Sequence, residues 1–143
     1  MPDRDRRLKL RAEDAQDVAV VSAALQDAVA KLGDIRFESQ GRRLTLALNR
    51  YRWEAGGRAR CRSALQIGSV LKVEARRLRR DAPDAVVELL AVAFEPAEEP
   101  PGGVLLLQFA GGGDLRVSVE CIDMVLADVS DPWPTPRRPQ HRP

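Results

Sequence analysis

The sequence holds a single histidine, His141, and two cysteines, Cys61 and Cys121. That histidine stands in a proline-rich tail, which excludes Ser-His-Asp and Cys-His catalysis and the usual zinc sites from the body of the chain. The cysteines are far apart and form no Cys-x-x-Cys pairing. They read as free thiols of a reducing compartment, each packed as a small hydrophobe. Long apolar runs are missing: none approaches the ~20 residues that span a bilayer. The N-terminus Met-Pro-Asp-Arg-Asp-Arg-Arg has bases but no apolar segment behind them, so no secretory signal is expected. Lysine is scarce, with three against 20 arginines. A GC-rich genome produces that bias as readily as a need for guanidinium chemistry does.

What is present suits one soluble cytoplasmic domain. At 143 residues a second hydrophobic core would be hard to fit. The net charge of +2 conceals a strong segregation. Residues 31–80 carry 14 bases and four acids, whereas 81–130 carry one base and ten acids. A molecule built this way is expected to be bipolar, and a salt-sensitive homodimer joining basic to acidic faces follows as an expectation.

Residues 1–10 read as a flexible basic arm, 11–130 as the domain, and 131–143 as a Pro-rich basic tail. Acids at Glu13, Asp14 and Asp17 precede Val18, Val21 and Leu25 at helical spacing, predicting an amphipathic helix from about Glu13 to Gln26. Leu44, Leu46 and Leu48 alternate as in a strand. The next large apolar residues, Tyr51 and Trp53, are odd-numbered, and this flip of phase predicts a β-bulge near Asn49-Arg50. Ala55-Gly56-Gly57 reads as a hairpin loop, returning through Ala59, Cys61, Ser63, Leu65 and Ile67. The near-continuous apolar run from Ala85 to Phe94 predicts a strand covered on both faces. Val104–Phe109 and Leu115–Val119 make a hairpin about the glycine-rich Ala110–Asp114 loop. Ile122, Val125, Leu126 and Val129 suggest a short closing helix. The fold class expected is therefore α+β: an N-terminal helix, a curved antiparallel sheet or partly closed barrel of five to six strands, and a short C-terminal helix.

Two motifs invite chemistry and fail on context. Gly111-Gly112-Gly113-Asp114 precedes a strand rather than a helix N-terminus, so it reads as a turn and not a phosphate loop. Glu95, Glu98 and Glu99 match no calcium-loop spacing and read as a solvated acidic loop. Trp133 reads equally as a docking anchor and as a side chain folded back on its own domain. No cofactor, metal site or catalytic residue is expected.

The arginines carry the best lead. Pairing the strands about the 55–57 loop places Glu54 opposite Arg58, with Tyr51 and Trp53 on the core side facing Cys61 and Ala59. On the outer side Arg52 then faces Arg60, and Arg50 lies near Arg62. Like charges opposed across a sheet cost ~0.2–1 kcal/mol per pair. An outward ladder of Arg50, Arg52, Arg58, Arg60 and Arg62 would suit an anionic partner. Arginines that merely splay into water and cover sheet edges are the plainer reading.

Several strings resemble a known family. Ser22-Ala-Ala-Leu-Gln-Asp-Ala28, Asn49-Arg-Tyr-Arg-Trp-Glu54, Phe94-Glu-Pro96, Phe109-Ala-Gly-Gly-Gly113 and Val119-Glu-Cys121 occur in the order seen in small alphaproteobacterial proteins grouped as domain of unknown function 2948. The likeness runs from about Leu8 to Trp133. It implies a cytosolic bacterial protein and brings no activity, cofactor or catalytic residue with it. The function expected is a non-enzymatic binding or adaptor module for a protein or anionic partner, with no membrane contact. A nucleic-acid-binding accessory protein using the same arginines is the alternative, followed by a small-ligand-binding or enzymatic domain.

Overall fold

The computed structural model describes residues 7–55, 58–79 and 81–135. They form eleven strands and a single α-helix. The strands are β1 (Lys9–Ala12), β2 (Ala28–Lys31), β3 (Ile35–Glu38), β4 (Arg43–Tyr51), β5 (Ala59–Ile67) and β6 (Val70–Arg76). They continue with β7 (Val86–Pro96), β8 (Gly103–Phe109), β9 (Asp114–Val119), β10 (Met124–Asp128) and β11 (Trp133–Pro134). Helix α1 spans Ala15–Leu25 and is capped by Asp14, whose carboxylate accepts from the Asp17 amide. No helix among the described residues is long and apolar enough to cross a membrane.

All strands belong to one antiparallel sheet, ordered β1-β10-β5-β4-β2-β7-β8-β9-β6, with β3 added to β4 and β11 to β5. Only Gly68 and Ser69 separate β5 from β6, yet β5 pairs with β10 and β4 while β6 pairs with β9. The chain therefore carries the far end of the sheet back to its middle. One face turns inward and is filled by alternate residues: Leu44, Leu46 and Leu48 of β4, Leu65 and Ile67 of β5, Leu105 and Leu107 of β8. Val18, Val21 and Leu25 of α1 complete this core.

The expected α+β fold of five to six strands is thus corrected to a mainly β fold. The closing helix at 122–129 does not form, because the segment is strand β10 beside β5. Its inward residues are Met124, Leu126 and Asp128. An acid at the third position broke the alternation, and the remaining apolar residues happened to fall at helical spacing. The run from 85 to 94 is covered on one side only, since Val86 is 64% exposed and Leu90 42%. The Gly111-Gly112 turn has φ values of +90° and +94°, as a hairpin glycine pair requires. Gly56, Gly57 and the tail from 136 lie outside the described residues.

Candidate functional site

Strand β4 shows no bulge. Its register with β5 is unbroken from Leu44↔Ile67 to Tyr51↔Arg60, so Arg50 opposes Cys61 and Asn49 opposes Arg62. The predicted change of phase is therefore wrong, and its consequence is large. The inward sequence 44, 46, 48 continues to residue 50, which places a guanidinium at the end of the core. Arg50 is fully buried and Arg52 nearly so. Tyr51 is buried on the opposite face beneath Arg60, whose guanidinium carbon lies 5.9 Å from the ring centre. Trp53 leaves the strand in a short 3-10 turn, and its indole N–H donates to the Gln26 carbonyl at 3.0 Å.

Arg50 is held by two carboxylates. Nε and Nη2 donate to Asp128 Oδ1 and Oδ2, each at 2.8 Å. Nη1 and Nη2 donate to Glu54 Oε1 and Oε2 at 2.9 and 2.7 Å. Asp128 also accepts from Ser63 Oγ at 2.7 Å and from the Leu8 amide at 2.7 Å. Burial alone would raise the Asp128 carboxyl, but the hydrogen bonds from Arg50, Leu8 and Ser63 outweigh it and hold it at about 2. Glu54 moves down for the same reason, with burial opposing and Arg50 prevailing. The Arg50 guanidinium is held still more firmly charged than usual, its two carboxylates outweighing burial. Burial pushes the neighbouring Cys61 thiol up. A protonated thiol beside a saturated ion pair is a poor nucleophile.

The expected ladder is divided by this register. Arg50 and Arg52 lie inside, and the Arg52 guanidinium sits 3.8 Å from Glu54. Arg58 is exposed at the start of the returning segment, while Arg60 and Arg62 lie half-buried on the outer face. Arg62 bonds Asn49 Oδ1 at 3.2 Å and pairs with Asp34 at 3.1 Å. Arg60 stands opposite Trp133, which folds back to form β11 and is 38% exposed.

Register brings other bases onto that outer face. One row across five strands reads Arg36–Thr45–Gln66–Val125–Arg11. The next reads Ala47–Ala64–Ala127–Lys9, a floor of small side chains, and beyond it lies Asn49–Arg62. Arg43 shares the face, as do the acids Asp34, Glu38 and Asp123. Lys9, Arg11 and Arg36 were missed in the sequence, although Leu8-Lys9-Leu10-Arg11 alternates as a strand does. Among the described residues no group of three His, Cys, Asp or Glu is placed to hold a metal ion.

The chain belongs to the family described as protein of unknown function (DUF2948), whose profile matches residues 8–141. No curated protein and no solved structure matches it.

Proposed function

We propose that the protein is a cytoplasmic, non-enzymatic binding module that receives an anionic partner on the outer face of β3, β4, β5, β10 and β1. The observation that carries this reading is the cross-strand row of small residues Ala47, Ala64 and Ala127, bordered by Lys9, Arg11, Arg36 and Arg62. Small side chains let an extended partner approach the sheet, and the guanidinium groups around them offer forked donors to carboxylates or phosphates. The buried polar cluster supports a structural rather than a chemical role for Arg50, because its Nε, Nη1 and Nη2 all donate within the protein. Unpaired thiols at Cys61 and Cys121 suit a reducing compartment.

Anisotropy with a labelled heparin oligosaccharide at low salt tests the reading. Replacing Lys9, Arg11, Arg36 and Arg62 together by Gln should weaken binding by about tenfold or more and flatten its salt dependence. Replacing Lys72 and Arg116, which lie on other strands, should leave both unchanged. Wild-type protein that fails to bind at low salt, or a quadruple variant that binds equally well, removes this face.

One observation favours single-stranded nucleic acid as the polyanion. Trp133 stands in register with Arg60 at the end of the same face, and an accessible ring beside bases is a stacking platform. A preference for single-stranded RNA over heparin, lost in Trp133→Ala, would select this reading over an acidic protein.

A further inference from the structure

Between β3 and β6 the sheet has a gap. Among the described residues β3 pairs with β4 alone and β6 with β9 alone, so the two strands face the gap with unladdered edges. Behind it lies a cavity of about 410 Å³, a size common among small-molecule sites. Ile35 and Phe37 of β3, Val73 of β6 and Leu78 form its walls, and Leu44 and Leu115 its floor. Phe37 is opposite Leu44 in register and so lies on the core side of the sheet, yet it is 41% exposed. An inward aromatic remains wet here because no strand covers it across the gap.

Two features restrict the occupant. The gap is closed at one end by the Val70 amide bonded to the Arg42 carbonyl at 2.9 Å, and at the other by the Gly33 amide bonded to the Pro83 carbonyl at 2.8 Å. An extended peptide running through would have to break these closures, whereas a compact molecule would not. Moreover, the residues lining the cavity carry no ionisable side chain. A charged group taken inside would lose its hydration without gaining a counter-charge.

We infer that this cavity binds a compact, uncharged, largely apolar small molecule. Phe37 supplies an aromatic wall, and main-chain groups on the β3 and β6 edges supply the polar contacts at the rim. The inference is independent of the arginine face, since none of that face's bases lines the cavity.

The neutral fluorophore N-phenyl-1-naphthylamine, titrated into the full-length protein, tests it. The expected result is a saturable one-to-one enhancement that is insensitive to salt, with methyl NMR shifts centred on Leu44 and Leu115. Filling the cavity with Val73→Phe and Leu78→Phe should weaken binding by about tenfold or more, in a variant whose cooperative melt shows that it is folded. The control Leu71→Phe, which is outside the cavity, should bind as wild type does. A sulfonated analogue should bind more weakly. The inference is overturned by the absence of saturable binding, by binding retained in the filled variant, or by shifts located elsewhere. A concentration-dependent dimer in sedimentation that competes with the probe would overturn it too, assigning the gap to a second copy of the chain.

Discussion

Arg50 and Asp128, drawn from β4 and β10, meet inside the protein through two parallel hydrogen bonds of 2.8 Å. Strand β5 lies between their strands and contributes Ser63, which completes the carboxylate's coordination. The pair thus ties three neighbouring strands together at the end of the core, and the Leu8 amide adds the approach to β1 as a fourth.

Breaking this pair from one side should be costly. Asp128→Asn or Arg50→Met is expected to lower stability by about 3–5 kcal/mol, because each leaves a charge buried without its best partner. The double variant Arg50→Met/Asp128→Asn should lose less than the two singles summed, since no orphaned charge remains from this pair. Urea denaturation of the four proteins measures the coupling. Additive losses would mean that the two groups act independently.

The same pair sets an acid limit. Asp128 titrates at about 2 in the folded protein against an ordinary value of 3.8. A carboxyl depressed by folding contributes stability that is present above its unfolded value and lost as pH falls through the folded one. About 2 kcal/mol should therefore disappear between roughly pH 4.5 and pH 2, with Glu54 moving in the same sense. Melting temperature followed from pH 6 to pH 2 should drop more steeply for wild type than for Asp128→Asn.

Much of the sheet was legible because its side chains alternate cleanly: Leu44 to Leu48, Cys61 to Ile67, and the β8–β9 hairpin all form where periodicity puts them. The false bulge and the false closing helix share one cause, a charged residue on the buried side. Arg50 and Asp128 are each other's compensation, but they are 78 positions apart. Periodicity along one strand sees either alone only as a break in pattern. Taking Tyr51 and Trp53 as inward put Arg50 outside and produced the false bulge, and the spacing of Ile122, Val125, Leu126 and Val129, with Asp128 left out of the pattern, produced the false helix. Arg60 and Arg62 lie on the outer face where strand pairing was expected to put them, whereas Lys9, Arg11 and Arg36 join that face through pairings that no local pattern specifies.

Two glycines should respond differently to the same substitution. A Cβ at Gly103 would lie 2.5 Å from both the Glu95 carbonyl oxygen and the Phe94 ring, inside the β7–β8 ladder. The carbonyl belongs to the sheet and cannot step aside, so Gly103→Ala should cost about 1–3 kcal/mol through overpacking. Gly111 has φ of +90° and open space around it. Gly111→Ala should therefore cost only the backbone strain, about 1–2 kcal/mol, and permit relaxation of the turn. Thermal melts decide between steric and conformational cost. A second-site Phe94→Ala, which removes the ring but not the carbonyl, should restore Gly103→Ala only in part.

The two thiols report on the buried cluster without disturbing it. Cys61 is 1% exposed and opposes Arg50 across the β4–β5 ladder, whereas Cys121 is half-buried on the loop before β10. Burial also pushes the Cys61 thiol up, so its reactive thiolate is disfavoured in addition to being inaccessible. A chromogenic disulfide reagent at pH 8 should accordingly titrate one thiol in the native protein and two in denaturant. Labelling of Cys61 then requires β5 to open locally, and its rate follows the free energy of that opening. Asp128→Asn removes the charged clamp from this end of the core, so Cys61 labelling should accelerate by at least tenfold while Cys121 labelling stays constant. Equal acceleration at both thiols would instead indicate global unfolding, and no acceleration would show that the ion pair does not secure β5.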